Sequence, residues 1–284
     1  MNEQREATVR QLEEKAREIR AHIVRMATVT SCHTGGALSM TDIIAALYFH
    51  VLRVDPENPD WDGRDYFILS KGHTVPALAA ALAMRGFFPE DLLTQHQELD
   101  SIISGHACTT TPGVDVSTGS LGHGLPIGVG IALGVKADEA PNRVFVIVGD
   151  GELQEGSNWE AAMSAAHHKL DNLVAIVDRN WHQTGPTEDM LALEPLADKW
   201  GSFGWGTRVI DGNDMEAVLD AVERLPHEPG RPTAIVAHTV KGKGVAQVED
   251  GHKHMSGFTP EERDAALREL GMPTGEADDG QGLR

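Results

Sequence analysis

Residues 144–185, VFVIVGDGELQEGSNWEAAMSAAHHKLDNLVAIVDRNWHQTG, constrain the fold more than any other stretch. Val144, Phe145, Val146, Ile147 and Val148 form an apolar run too short for a helix, and it ends in the turn Gly149-Asp150-Gly151. Such a run reads as a strand buried on both faces. A helical segment follows, and then a second apolar run, residues 173–177, closes on Asp178, Arg179 and Asn180. Two buried strands joined by a helix make a parallel βαβ unit. In open α/β sheets ligands collect at the carboxyl ends of the strands and at the helix N-termini beyond them. Asp150 and Asn180 therefore belong side by side on two neighbouring strand ends.

The remaining chain extends the alternation. Residues 3–27 carry apolar side chains at helical spacing (Val9, Leu12, Ala16, Ile19, Ile23) and read as a surface amphipathic helix. A polar loop, Thr30 to Gly36, precedes a helix over residues 43–51, with Ser39 and Asp42 as its capping box. Residues 66–69 form a short strand ending in Ser70-Lys71-Gly72-His73, and an Ala/Leu-rich helix covers 75–84. Residues 105–124 hold too much Gly, Thr and Ser for a regular element. They lead into a helix over 125–137 whose Gly128, Gly130 and Gly134 imply close packing, on the sheet or on a second chain. Strands at 207–210 and 233–237 flank a helix at 213–225, and a last helix starts at Thr259-Pro260 with Glu262 completing a capping box. The expected architecture is α/β: a parallel sheet flanked by helices in one domain, residues 1–270, with an acidic, glycine-rich and disordered tail over 273–284.

Composition narrows the function classes. With 43 acidic against 24 basic side chains the net charge is −19, and no basic stripe offsets it, so nucleic acid is not an expected partner. No leading apolar segment and no apolar run near eighteen residues is present, so neither export nor a membrane is indicated; the expected location is cytoplasmic. Cys32 and Cys108 are the two cysteines, and neither a disulfide framework nor a zinc pattern surrounds them.

Magnesium takes oxygen ligands in octahedral geometry and shares its sphere with phosphate and water. The Asp150 carboxylate, the Asn180 carboxamide oxygen and a nearby carbonyl would supply three protein oxygens, while Gly149 and Gly151 let the backbone approach a phosphate. A Gly-Asp-Gly tripeptide alone is an ordinary turn. The longer pattern is not: Gly149-Asp150-Gly151, Glu155-Gly156, Trp159-Glu160-Ala161 and then Asn180 resemble the thiamine diphosphate signature of the transketolase family. Ser31-Cys32-His33, Ser70-Lys71-Gly72-His73, Gly105-His106, residues 118–124 (TGSLGHG), Asp211-Gly212-Asn213-Asp214 and residues 239–244 (TVKGKG) are similar to further family loops, in family order, over roughly residues 8–265.

The resemblance implies a thiamine diphosphate-binding fold and a set of roles. Asp150 and Asn180 would ligate Mg2+ (Ca2+ or Mn2+ could substitute) with their side chains, and His182 with its carbonyl. Gly119, Ser120, Leu121, Gly149, Gly151 and Asn180 would hold the cofactor, with His73 and His254 near its diphosphate. His33 and His106 would meet the sugar hydroxyls, and Glu155 would join an acidic relay between paired sites. Imidazoles suit both tasks, hydrogen bonding and proton transfer near neutral pH. The adjacent His167 and His168 read as structural.

The family's activating glutamate sits in a pyrimidine-binding domain that does not follow residue 270. The resemblance thus implies the N-terminal half of a split transketolase, a ketol (glycolaldehyde) transferase active with a separate C-terminal subunit, as an α2β2 heterotetramer acting on a ketose (phosphate) donor and an aldose (phosphate) or other aldehyde acceptor. Two enzymatic alternatives are the alpha subunit of a 2-oxo acid dehydrogenase and a specialised transketolase-like enzyme of a biosynthetic pathway; a non-catalytic scaffold is a third. Cys32, Thr34, His123, Trp181 and the shortened loop at residues 180–185 depart from the family pattern, which bears on substrate identity. Replacing Asp150 by Ala is expected to abolish activity with little loss of fold.

Overall fold

The computed structural model describes residues 3–274. Most of the expected tail, residues 275–284, lies outside them. The sheet has five parallel strands: β1 (Tyr66–Leu69), β2 (Val144–Gly149), β3 (Leu173–Arg179), β4 (Gly206–Asp211) and β5 (Thr233–His238), in the order β1-β2-β3-β5-β4. Gly149 pairs with Asp178 across β2 and β3. Asp150 and Asn180 are thus carried on adjacent strand ends, as the spacing predicted.

Strand side chains alternate between two cores. Phe67, Phe145, Ile147, Val174, Ile176 and Ile235 face the first layer, built from α1 (Glu3–Val29), α2 (Thr34–Ser39), α3 (Thr41–Ala46) and α4 (Val75–Met84), with later helices completing it. Ile68, Val146, Val148, Ala175, Val177 and Val236 face the second, under α5 (Gly124–Ala137), α6 (Gly156–His167) and, after a short α7 (Thr187–Met190), α8 (Leu196–Ser202). Trp200 and Trp205 are fully buried there. The first layer is completed by α9 (Met215–Val222), a short α10 (Ala246–Glu249) and α11 (Pro260–Glu269). The period of two in the strands buries both faces, which accounts for their unbroken apolar runs.

Three local expectations change. The helix expected at 43–51 begins earlier: Thr34, Gly35 and Gly36 are already helical, and Met40 separates α2 from α3. Ser39 is no cap; its hydroxyl donates to Gly36 O and to Asp178. The glycines of α5 split in role. A Cβ on Gly128 would lie 2.6 Å from Val146 Cγ2, so that residue packs on the sheet, while Gly130 and Gly134 have nothing within 4 Å. The α11 capping box of Thr259 and Glu262 forms as read.

Candidate active site

A pocket of about 280 Å³ opens at the carboxyl ends of the strands. All the site residues expected from sequence line it except Ser120 and Glu155, which are exposed beside it on the 118–124 loop and at the start of α6.

Backbone contacts bring the histidines together from four separate segments. Cys32 and Ser256 form an antiparallel bridge (Cys32 N–H to Ser256 O 3.2 Å, Ser256 N–H to Cys32 O 3.0 Å), which sets His254 against His33. Ala107 N–H donates to Gly72 O at 3.1 Å, which sets His106 beside His73. The ring centroids lie 4.8 Å apart for His33–His73, 5.0 Å for His33–His254 and 5.6 Å for His73–His254; His106 is 6.4 Å from His33. Burial, with Lys71 next in weight, pushes His73 down to about 2. Burial and Lys241 bring His254 to about 4, and burial and His106 lower His33. These three imidazoles are therefore neutral at pH 7, able to accept as well as donate hydrogen bonds.

On the opposite wall, the Asp150 carboxylate accepts from Gly151 N–H through Oδ1 (2.7 Å), and through Oδ2 from Trp181 N–H (2.7 Å) and Arg179 Nη1 (3.0 Å). Burial and the neighbouring Asp178 raise its pKa against the opposing pull of Arg179. Asn180 gives its Nδ2 to Asp178 (2.8 Å), and its Oδ1 accepts from His182 N–H (3.1 Å). The His182 ring stacks on His252 at 4.1 Å. Among the described residues no group of three or more His, Cys, Asp or Glu side chains could hold a metal ion. A cation here would have to draw on the mixed oxygens of Asp150, Asn180 and the His182 carbonyl and on oxygens of its ligand. That set of hard oxygens suits Mg2+ or Ca2+.

Five charged side chains in and beside the pocket were not singled out from sequence. Lys71 is buried and donates to Asp178 and Gly36 O. Lys241, also buried, donates to Gln183 O at 2.5 Å and His182 O at 3.3 Å; burial and Lys71 lower it to about 8. Asp178 is the acceptor for Lys71, Ser39, Thr239 and Asn180. Glu152 accepts from Ser70 Oγ, Gly122 N–H and Gly149 N–H, so one buried carboxylate ties three glycine-bearing loops together. Arg179 is the fifth. Asp178 and Arg179 carried one sequence signal, a charge at the end of an apolar run, where burial forces a partner.

The floor of the pocket is lined by glycine backbone and lysine side chains. A Cβ on Gly151 would sit 3.0 Å from Gln183 Cβ, and on Gly119 3.3 Å from His106, so a larger residue at either position would crowd the side chains that line the pocket. Two buried ammonium groups beside neutral imidazoles and bare backbone fit a diphosphate.

The sequence matches, over residues 11–277, the family model described as transketolase, thiamine diphosphate binding domain. It is 44% identical over 242 residues to the 6-deoxy-6-sulfo-D-fructose transketolase subunit of Clostridium sp. (strain MSTE9), covering 84% of this chain and 88% of that protein. It is 42% identical to an apulose-4-phosphate transketolase subunit of Actinobacillus succinogenes, covering 92% of this chain and 96% of that protein. The fold superposes on the transketolase of Campylobacter jejuni with a TM-score of 0.85 at 29% identity; 97% of this chain covers 44% of that one.

Proposed function

The chain belongs to the transketolase family as its thiamine diphosphate-binding domain, and from that premise we propose that it is the diphosphate-binding subunit of a two-chain ketol transferase. One observation carries the reading: the four-histidine cluster and the Asp150–Asn180–His182 wall share a single pocket, with Lys71 and Lys241 between them. A diphosphate suits the lysines and the bare glycine backbone, and a divalent cation suits the mixed oxygens opposite.

When bound, thiamine diphosphate supplies a nucleophilic carbon and an electron sink, the hard part of cutting and remaking a carbon–carbon bond next to a carbonyl. The chain's own residues bind and orient. Asp150, Asn180 and the His182 carbonyl hold the cation, and Lys71 and Lys241 add positive charge beside the diphosphate. His73 and His254 stand near the diphosphate, and His33 and His106 take the sugar hydroxyls. Being neutral, the His33 imidazole can receive a proton at the ring nitrogen that faces a hydroxyl, whereas His73 and His254 serve the diphosphate as hydrogen-bonding groups. Glu155, exposed at the start of α6, is free to meet an acidic relay on a second subunit.

Relatives named as transketolase subunits support the existence of a partner chain; that it supplies the pyrimidine-binding half in an α2β2 assembly is part of the proposal. We place residues 1–270 in one domain, with a cytoplasmic location; among the described residues no helix is long and apolar enough to cross a membrane. The donor is a ketose or ketose phosphate. Trp181 and the shortened 180–185 loop favour a specialised sugar of the kind in the relatives' names. The test is co-expression with a pyrimidine-binding chain. Two-carbon transfer from xylulose 5-phosphate, 6-deoxy-6-sulfo-D-fructose or apulose 4-phosphate to an aldehyde is the expected result. Release of carbon dioxide from a 2-oxo acid instead would replace it with the dehydrogenase reading.

A further inference from the structure

Arg179, the last residue of β3, has a fully buried side chain in the wall beside Asp150. Its Nη1 donates to Asp150 Oδ2 at 3.0 Å; its Nε and Nη2 donate to Glu194 at 3.2 and 3.0 Å, and Nη2 also to Glu188 at 2.5 Å. The guanidinium carbon lies 3.7 Å from the centroid of the Trp181 ring, whose own backbone N–H donates to the same Asp150 oxygen. Trp181 adopts φ 67°, a left-handed conformation that a bulky residue enters only when its surroundings hold it there. The guanidinium face and the His238 ring, 5.4 Å away and nearly parallel, hold it.

Two consequences follow for Asp150. Its Oδ2 is saturated by two donors, so Oδ1, with one donor, is the oxygen left to meet a cation. And a permanent positive charge stands in hydrogen-bond contact with that carboxylate. Glu188 and Glu194 offset it only in part, because they are 31% and 43% exposed and screened by water, whereas the Arg179–Asp150 contact is dry.

Resting on the reading of Asp150 as a cation ligand, we propose that Arg179 is a positioning residue that fixes the Asp150 carboxylate and suppresses binding of a free divalent cation, so that the cation enters together with the diphosphate. The diphosphate brings the negative charge that Arg179 has withdrawn from the site. Without it, a lone cation meets a half-neutralised carboxylate.

The test is a titration of the full-length chain with Mn2+, followed by electron paramagnetic resonance, with and without thiamine diphosphate. Wild type is expected to bind Mn2+ at least about 100-fold more tightly with the diphosphate than without. Arg179→Gln is expected to tighten Mn2+ binding alone about tenfold and to shrink that ratio by the same factor, while Arg179→Lys restores the wild-type ratio. Glu194→Gln, which removes an exposed counter-charge, is expected to move Mn2+ binding alone about threefold in the opposite direction, and it decides the matter if Arg179→Gln does not fold. An unchanged ratio in Arg179→Gln, or unchanged Mn2+ binding in Glu194→Gln, overturns the proposal. If Asp150→Asn leaves both wild-type titrations unaltered, the cation site itself is wrong, a separate outcome.

Discussion

Asn180 donates its amide nitrogen to the buried Asp178 carboxylate at 2.8 Å, and that bond turns its Oδ1 away from Asp178, to accept from His182 N–H. Asp178 also receives Lys71, Ser39 and Thr239, so it orients the amide and neutralises a buried ammonium at once. Burial alone would raise its pKa, but Lys71 and the hydroxyl donors overcome this and hold it below the ordinary range. Asp178→Asn keeps the shape and removes the charge. Leaving Lys71 unpaired in a dry site is expected to cost about 3–5 kcal/mol. Urea denaturation reads that loss, and calorimetry with thiamine diphosphate and Mg2+ is expected to show at least tenfold weaker binding. A variant as stable as wild type would show that Lys71 finds water instead.

Asp150→Ala is no longer expected to leave the fold untouched. The carboxylate satisfies Arg179 Nη1 and Trp181 N–H in a buried setting, and truncation orphans both donors. A buried unsatisfied donor costs about 1–3 kcal/mol. Asp150→Asn retains an acceptor oxygen, so it is expected to lose cation-dependent binding with the smaller stability loss. Thermal melts of the two variants separate ligand loss from packing loss.

The histidine cluster makes stability pH-dependent with a definite sign. The folded chain keeps His73 neutral to about pH 2, whereas an unfolded histidine takes up a proton near pH 6.5. Below pH 6.5 the unfolded state therefore binds more protons, and stability falls as the pH falls through that window, by up to about 1.4 kcal/mol per pH unit for this one group. His254, more open to solvent, adds a smaller share that is complete near pH 4. Urea midpoints at pH 7 and pH 5 should show the decline in wild type and a shallower one in His73→Gln. Equal slopes would mean that His73 is protonated in the folded chain.

The apolar runs of β2 and β3 specify the site's scaffold directly, because a strand buried on both faces has no other use for so many branched residues; the pairing of Gly149 with Asp178 follows from them. The loops that bring His33, His73, His106 and His254 to one point are irregular, so only the resemblance marked them. Their meeting depends on contacts such as Cys32 with Ser256, which no local pattern encodes. The roles of Glu152, Asp178 and Arg179 were equally illegible. Each is a charge whose value depends on a partner distant in sequence, Ser70, Lys71 and Asp150 respectively. Ser39 shows the reverse error, a capping motif read locally whose hydroxyl is used by tertiary structure.

The glycines of α5 give a last and sharper test, because neighbours on one helix should respond in opposite directions. Gly124 N–H donates to Ser70 Oγ at 3.1 Å, and Ser70 in turn donates to Glu152, the carboxylate that holds Gly122 and Gly149. A Cβ on Gly124 would fall 2.3 Å from Ser70 Oγ and 2.6 Å from its Cα, which cannot yield without moving the end of β1. Gly124→Ala is therefore expected to cost about 1–3 kcal/mol and, by parting the Ser70–His73 loop from the 118–124 loop, to weaken diphosphate binding as well. Gly130, with nothing within 4 Å, is free to accept a methyl group. Gly130→Ala is expected to stabilise the isolated chain by up to about 1 kcal/mol through helix propensity alone. Paired thermal melts read both changes; if the two variants shift together, side-chain room is not what separates these glycines, and the Ser70–Glu152 link is not what holds the loops at the pocket.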